Sequence, residues 1–114
     1  MAKRHPVFAA ARAALERKAM QPIVLDLRKL TSLTDYFLLL SATSTPHMEA
    51  IADQVREELK KIGRLPLRRE GDPESGWMVV DFSDFIVHVF LPAARDFYDL
   101  QGRWSDAKTV KVEE

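Results

Sequence analysis

Residues 77–90, WMVVDFSDFIVHVF, constrain the fold more than any other stretch of this 114-residue chain. Two apolar runs, 77–82 and 85–90, flank the turn-forming pair Ser83 and Asp84, which predicts a β-hairpin with a two-residue turn. A turn of that length fixes the register of the two strands. The predicted partners are Phe82 with Phe85, Asp81 with Ile86, Val79 with His88, and Trp77 with Phe90.

Side chains alternate across a strand, so this register divides the hairpin into two faces. The first face is wholly apolar and is predicted to join the core; it carries Met78, Val80, Phe82, Phe85, Val87 and Val89. The second face mixes large apolar groups with a carboxylate and an imidazole; it carries Trp77, Val79, Asp81, Ile86, His88 and Phe90. Surfaces of this mixed kind often dock another protein, and we predict a partner-binding site there.

The rest of the chain supplies helices and further strands. Helical spacing of apolar residues predicts a helix over about residues 6–20 and a second one, which Thr45 caps and Gly63 ends. Other predicted elements are strands at Ile23–Arg28, Tyr36–Ala42 and Leu65–Glu70, and a short helix from Ala93 to about Leu100. This order indicates an α/β (α+β) domain over residues 1–106, with helices flanking a mixed five-stranded sheet. Residues 107–114 have little to bury and are predicted to form a mobile tail.

Composition narrows the class of protein. Seventeen basic and seventeen acidic residues cancel, whereas free-standing nucleic-acid binders usually carry a basic excess, so we expect no direct sequence-specific nucleic-acid binding. The absence of cysteine excludes disulfides and cysteine nucleophiles and is typical of a cytoplasmic chain. Charged residues such as Arg12 and Glu16 interrupt the N-terminal apolar residues, so we expect neither a secretory signal nor a membrane span. A mitochondrial presequence is the alternative, but Glu16 and the strand that follows favour a helix of the domain.

No arrangement typical of an enzyme emerges from the sequence. The three histidines lack the spacing of zinc ligands, and the four glycines lie too far apart for a phosphate-binding loop. Asp81, Asp84 and His88 are neighbours on the hairpin, yet no serine or cysteine is placed as their nucleophile. Asp26 stands alone between leucines and is predicted to be structural, with a hydrogen-bonding or ion-pair partner. We therefore expect no catalytic residue, no metal ion and no cofactor.

Two groups of side chains admit more than one interpretation. A basic group surrounds the end of the second predicted helix; it consists of Lys60, Lys61, Arg64, Arg68 and Arg69. Cations suit the dipole at a helix C-terminus, so a solvated surface is favoured over a contact with RNA or an acidic partner. Among the last aromatic residues, Phe97 is expected in the core, whereas Tyr98 and Trp104 are added to the candidate partner-binding residues.

Several segments together resemble the ribosomal silencing factor family, RsfS, whose members are also called Iojap-related proteins. The resemblance covers about residues 8–106. The matching segments are IVLDLRKLTSLTDYFLLLSATS, STPHMEAIAD, PLRREG, GWMVVDFSDFIVHVF and ARDFYDLQGRWSDA. Each of these segments alone is weak, but their combination is specific.

The resemblance implies a partner and a mechanism. Family members bind the large ribosomal subunit through its ribosomal protein fourteen, block joining of the small subunit and repress translation when nutrients are scarce. It also implies a fold similar to nucleotidyltransferases without their catalytic carboxylates, a docking surface in the hairpin region, and homodimers in some members. Two alternatives remain open, an assembly factor for the large subunit and a nucleotide-binding enzyme of the nucleotidyltransferase kind.

Overall fold

The computed structural model of the protein describes residues 5–112, and these form helices packed on one six-stranded sheet. The helices are α1 (Pro6–Glu16), α2 (Thr45–Lys61), α3 (Pro92–Tyr98) and α4 (Leu100–Arg103). The strands are β1 (Met20–Asp26), β2 (Tyr36–Ser41), β3 (Arg68–Asp72), β4 (Trp77–Asp81), β5 (Phe85–Phe90) and β6 (Lys108–Lys111). A short 3₁₀ turn, Pro73–Ser75, joins β3 to β4.

The strands lie in the order β3-β4-β5-β2-β1-β6. The central neighbours β2 and β5 run parallel, and every other neighbouring pair is antiparallel. This confirms the mixed α+β class, but the sheet has six strands where the sequence predicted five. The hairpin register is confirmed, because Asp81 pairs with Ile86, Val79 with His88 and Trp77 with Phe90.

The sixth strand comes from the segment that was predicted to be a mobile tail. Residues 108–111 pair with β1, with Val110 opposite Val24, so that prediction is wrong for them. The short alternation of Val110 and Val112 with lysines is the signal that was missed, since Val112 is buried in the core. Residues 113–114 lie outside the described part of the chain.

The larger core lies between one face of the sheet and the helices α1 and α2. We call this the inner face of the sheet. All six residues of the predicted core face of the hairpin are buried in it. Helix α1 contributes mainly alanines, and their small side chains let it approach α2 and the sheet closely. Strand β2 is buried on both faces except at Phe37, which is half-buried, so its continuous apolar sequence predicted the burial of its other residues.

The helix ends differ in detail from the sequence prediction. Helix α1 ends at Glu16, and Lys18 adopts φ +61° at the turn into β1. Helix α2 is capped by Ser44 and not by Thr45, because the Ser44 hydroxyl accepts a hydrogen bond from the His47 N–H at 3.2 Å. Gly63 follows α2 with φ +78°, which confirms the left-handed ending.

Candidate docking surface

The opposite, outer face of the sheet carries the predicted partner-binding residues. The strand registers place three side chains from each of the strands β3, β4, β5 and β2 on it. From the β3 edge inward these are Arg68, Glu70 and Asp72; Trp77, Val79 and Asp81; Ile86, His88 and Phe90; and Phe37, Leu39 and Ser41. The fully buried cluster on this side is small and comprises Leu25, Leu27, Leu39 and Phe90. The outer face is therefore covered much less completely than the inner face.

Helices α3 and α4 cover one end of the outer face and meet at a sharp corner. The corner residue, Asp99, has φ +46° and ψ +58°, and its carboxylate accepts a hydrogen bond from the Gly102 N–H at 3.1 Å. A side chain at position 102 would clash with this carboxylate, so the cap in this geometry depends on glycine there. The corner brings Tyr98 onto Trp77 and Trp104 onto Phe37.

A buried arginine fixes α3 to the sheet. The Arg95 guanidinium donates to the Gln21 carbonyl and to the Ser41 hydroxyl, both at 2.8 Å, and to the Gln101 side chain at 3.3 Å. Burial lowers the pKa of Arg95 below its ordinary value, though the group stays a cation. These bonds hold the base of α3 above β1 and β2, so the aromatic side chains that follow have a rigid support.

Six rings form a continuous line across the outer face, and we call this line the aromatic row. In order its members are Phe97, Tyr98, Trp77, His88, Phe37 and Trp104. The successive distances between ring centroids are 5.1, 4.4, 5.8, 4.6 and 5.8 Å. Contacts of this kind restrict ring motion, so the row presents a preformed aromatic surface.

The imidazole of His88 holds the centre of the row. The indole N–H of Trp77 donates to His88 Nδ1 at 3.1 Å, which leaves the proton of the neutral ring on Nε2. Burial lowers the pKa of His88 to about 3, so the ring is neutral at physiological pH. His88 Nε2 is buried and has no hydrogen-bond partner among the described residues. The imidazole thus orients the tryptophan and carries no charge.

The predicted site residues differ in how much of their surface is accessible. The half-buried ones, which keep some solvent-accessible surface, are Trp77, Val79, Asp81, Ile86, Tyr98 and Trp104. The other two, His88 and Phe90, are only 6% and 1% exposed and support Trp77 from below. Phe90 stacks on the indole of Trp77 at 5.3 Å. The structure therefore brings all eight residues to one side of the sheet, and their binding of a partner stays a prediction.

Sequence reasoning misplaced one aromatic residue and overlooked another. Phe97 was expected in the core, but it is 80% exposed, because the buried face of α3 is formed by Ala94, Arg95 and Tyr98. Phe37 was assigned to a covered central strand, yet it is only half-buried and joins the aromatic row. Pairing of β2 with β5, which places Phe37 beside Ile86, was the missing information.

The residues considered for catalysis do not converge. Asp84 pairs with Arg64, Asp81 accepts a hydrogen bond from the Ser83 N–H at 2.7 Å, and His88 bonds to Trp77. Within residues 5–112 there is no cluster of three or more histidine or acidic side chains that could hold a metal ion.

Asp26 has the ion-pair partner that the sequence predicted. Its carboxylate accepts hydrogen bonds from the Arg28 side chain at 3.0 and 2.8 Å. The hydrogen bonds from Arg28 lower the pKa of Asp26 below its ordinary value.

Most of the basic group at the end of α2 is neutralised by neighbouring carboxylates. Lys61 pairs with Glu58 at 2.7 Å and Arg69 with Asp53 at 2.6 Å, and Arg64 and Arg68 also have acidic partners. These pairs support a solvated surface. None of the helices in the described part of the chain is long and apolar enough to cross a membrane.

Comparison with known proteins adds the family. The sequence model of the family described as ribosomal silencing factor during starvation, RsfS, matches residues 2–114. The ribosomal silencing factor RsfS of Bacillus subtilis is 33% identical over 104 residues, which cover 91% of this chain and 88% of that protein. The mouse protein named mitochondrial assembly of ribosomal large subunit protein 1 is 33% identical over 75 residues, which cover 63% of this chain and 33% of that protein.

A crystal structure of a Chromobacterium violaceum protein has the same fold. It superposes with a TM-score of 0.85 at 32% sequence identity, over 100% of this chain and 94% of that one. The match to the family along nearly the whole sequence, the similar solved structure and the resemblance of the hairpin segment agree. The chain belongs to the ribosomal silencing factor family.

Proposed function

We propose that this protein binds the large ribosomal subunit through ribosomal protein fourteen of that subunit and thereby keeps the small subunit from joining. The family match over residues 2–114 carries this proposal. Repression of translation under starvation follows from the same mechanism, and the description of the family includes starvation. The protein would then work in the cytoplasm, together with the ribosomes.

The aromatic row is the proposed contact surface, and Trp77 is its anchor. The indole is held by the hydrogen bond to His88, by Phe90 below it and by Tyr98 at its side, with ring centroids 5.3 and 4.4 Å away. Little conformational entropy is lost when a side chain fixed in this way is covered by a partner. Tryptophans in such settings often dominate the affinity of an interface.

The proposed mechanism is steric exclusion by the bound protein and requires no chemical step. The described part of the protein measures about 33 × 33 × 27 Å. A rigid body of that size, bound on the face of the large subunit that meets the small one, would prevent the two surfaces from reaching contact distance. Affinity for the docking protein therefore sets how far subunit joining is reduced.

Sedimentation through sucrose gradients tests this function. Purified protein should co-sediment with isolated large subunits and lower the yield of joined ribosomes in proportion to its bound fraction. Trp77→Ala should strongly weaken both effects, and Glu49→Ala, on exposed α2 surface at the inner side, should keep them. Equal pelleting with small subunits alone, or unchanged joining at saturating protein, would contradict the proposal.

Assembly of the large subunit is a second candidate function, favoured by the similarity to the mouse protein named for that assembly. The partner would be the same, but binding would precede the completion of the subunit. Depletion of the protein in growing cells separates the two functions. Accumulation of large-subunit precursors would indicate assembly, whereas normal subunits with excessive joining under starvation would indicate silencing.

A homodimer is the remaining proposal taken from the family resemblance. Sedimentation equilibrium of the free protein decides between a monomer and a dimer. If a dimer forms, the Trp77→Ala variant tests whether the outer face is the dimer interface. The variant should sediment as a monomer if it is, and as a dimer if the interface lies elsewhere.

A further inference from the structure

Helix α1 begins on a histidine side chain. His5 occupies the N-cap position, and its ring Nδ1 accepts a hydrogen bond from the Val7 N–H at 3.1 Å. Helices are usually capped there by oxygen atoms of serine, threonine, aspartate or asparagine, none of which takes up a proton near neutral pH. The cap of α1 instead requires an imidazole with a free lone pair on Nδ1, so the proton of the neutral ring lies on Nε2.

The other side of the same ring faces two carboxylates. His5 Nε2 lies 3.5 Å from a carboxylate oxygen of Asp84 in the hairpin turn and 3.9 Å from one of Asp35. The ring packs edge-on against Tyr36 at the start of β2 and Phe85 at the start of β5, with centroids 4.6 and 5.8 Å away. His5 thus joins the first turn of α1 to the end of the sheet where β2 and β5 begin.

Opposing interactions decide when this ring takes up a proton. Burial has the largest effect and lowers the pKa of His5 below its ordinary value of 6.5. The charged groups that face the ring are, in order of effect, Asp84, Asp35, Arg64 and Arg28. The two carboxylates favour the imidazolium, and the two guanidinium groups favour the neutral ring. Tyr36, which also contacts the ring, stays neutral because burial raises its pKa.

Protonation would end the capping role of the ring. An imidazolium carries hydrogens on both nitrogens, so Nδ1 could no longer accept the Val7 N–H, and two N–H groups would point at each other. A positive charge at the N-terminus of α1 is also unfavourable, because the helix dipole is positive there. The carboxylates of Asp84 and Asp35 offer the charged ring a better partner close by.

The first turn of α1 carries apolar side chains that close one end of the inner core. Val7 has no exposed surface and Phe8 is only 8% exposed, with its ring 6.2 Å from that of Tyr36. The helix continues with alanines from Ala9 to Ala11, whose contact areas are small. The cap and the two larger side chains therefore hold the first turn on the sheet.

We propose that His5 is a pH-sensitive cap with two states. In the closed state the neutral ring caps α1, and in the open state the protonated ring pairs with Asp84 and Asp35 while the first turn of α1 separates from the sheet. Opening uncovers Val7 and Phe8 as an apolar surface at mildly acid pH. The cap lies on the inner side of the sheet, away from the aromatic row, so it acts independently of the proposed docking.

A pH titration followed by NMR tests the cap in the wild type. The ring signals of His5 and the amide signal of Val7 should titrate together, with one midpoint below pH 6.5. Below that pH, the protection of the Val7 N–H against hydrogen exchange should fall by up to about tenfold for each pH unit, because the open state binds one more proton. This amide should also exchange much faster than that of Ile51 in the centre of α2, since only the first turn opens.

Three substitutions separate the cap from the charge. His5→Asn keeps an acceptor at the N-cap that does not titrate, so the protection of the Val7 N–H should no longer depend on pH in this range. Asp84→Asn removes the carboxylate with the larger effect on His5 and should move the common midpoint to lower pH. The matched control is Asp53→Asn, which removes an ion pair with an arginine on α2 and should leave the midpoint unchanged.

Three outcomes would overturn the proposal, and the first two need no variant. The Val7 amide signal could stay unchanged while His5 titrates, or the Val7 N–H could exchange at the rate of the Ile51 amide at every pH, as it would if only global unfolding exposed it. The third outcome is a His5→Asn variant that melts as the wild type does at neutral pH and keeps the full pH dependence at Val7.

Discussion

The two faces of the sheet are built from the same strands but differ in how they are covered. On the inner face, α1 and α2 enclose a continuous core in which Phe85, Leu40 and Ile51 have no exposed surface. On the outer face, a small buried cluster lies beneath half-exposed rings, and one short helical corner covers part of it. The inner face therefore accounts for most of the apolar burial, which is the main source of stability.

This difference separates stability from recognition within a small protein. Side chains of the inner face are buried regardless of any partner, so their substitution acts on folding. Side chains of the aromatic row retain surface that only a partner can cover, so their substitution should act on binding. The predictions below test this separation, starting with the largest expected effect.

Removal of a large inner-face ring should strongly destabilise the protein. Phe85→Ala deletes a fully buried side chain that stacks on Phe82 at 4.6 Å, and we expect a loss of about 3–5 kcal/mol in the free energy of unfolding. The matched variant on the outer face, Phe37→Ala, removes the same atoms from a half-buried position and should lose less than half as much. Chemical denaturation measures both, and equal losses would show that the two faces do not differ as described.

Removal of the anchor of the aromatic row should act mainly on binding. Trp77→Ala is expected to weaken binding to large subunits by about thirtyfold, equivalent to about 2 kcal/mol, while the domain stays folded. Trp77→Phe keeps a ring but loses the donor to His88, so its affinity should fall between those of the alanine variant and the wild type.

Two results would contradict the proposed role of Trp77 as the anchor of the docking surface. If the alanine variant melts as early as Phe85→Ala, then Trp77 is a core residue, and the helical corner covers the outer face for stability alone. If the variant is folded and binds with unchanged affinity, Trp77 does not belong to the docking surface. Melting and affinity must therefore be measured on the same preparation.

Acid should destabilise the protein through His88. The folded-state pKa of about 3 lies below the ordinary value of 6.5, so between these pH values the unfolded chain binds one more proton than the folded one. Stability is then lost as the pH falls below about 6.5, by about 1.4 kcal/mol for each pH unit.

A variant that cannot titrate isolates this contribution. His88→Leu should flatten the dependence of stability on pH in the range below about 6, relative to the wild type. His5, whose pKa is lowered chiefly by burial, acts in the same direction, and the difference between the two proteins removes its contribution. An unchanged slope would mean that His88 becomes charged in the folded protein.

The sequence predicted the hairpin with its register, because the period-two pattern and the two-residue turn are local properties. It also predicted the apolar side of α2, whose helical period is strong. It missed β6, since four residues with two exposed lysines carry too little local signal without β1 beside them. Non-local pairing therefore explains the missing sixth strand.

The candidate site was predicted only as far as it depends on one hairpin. The residues that other strands contribute to the site could not be predicted. Phe37, for example, joins the aromatic row through the parallel pairing of β2 with β5. The exposure of Phe97 depends on the corner at Asp99 and on the hydrogen bonds of Arg95 to the sheet. No local sequence pattern predicts either feature. The central packing of Trp77 on Phe90, by contrast, followed directly from the hairpin register.

A smaller effect is expected at the corner between α3 and α4. In Gly102→Ala the new methyl group would clash with a carboxylate oxygen of Asp99, so this cap must open. Loss of a helix cap costs about 1 kcal/mol, and affinity should fall with it because Tyr98 and Trp104 flank the corner. A second variant, Asp99→Gly, suits the positive φ and removes the carboxylate.

A double-mutant cycle attributes the effect to the cap. Once Asp99 is glycine, adding Gly102→Ala should cost much less stability than it does in the wild type. Additive effects would locate the strain elsewhere in the corner. Unchanged affinity in a protein with an opened cap would show that α3 and α4 contribute nothing to docking.

The smallest effect is expected at Asp26, at the end of β1 on the side of the inner face. Its bonds to Arg28 lie near the surface, so Asp26→Asn should lower the melting temperature less than Gly102→Ala does. The pKa of Asp26 is lowered, so this contribution is present at neutral pH and is lost as the solution is acidified below the ordinary carboxylate range.

The Asp26→Asn variant also tests the nucleotidyltransferase alternative, in which this carboxylate would hold a metal ion. Calorimetry with nucleotides and magnesium should give no binding heat with the wild type or with Asp26→Asn. Magnesium-dependent nucleotide binding by the wild type that Asp26→Asn abolishes would give the inner side of the sheet a chemical function, and the division between a stabilising face and a docking face would then be wrong.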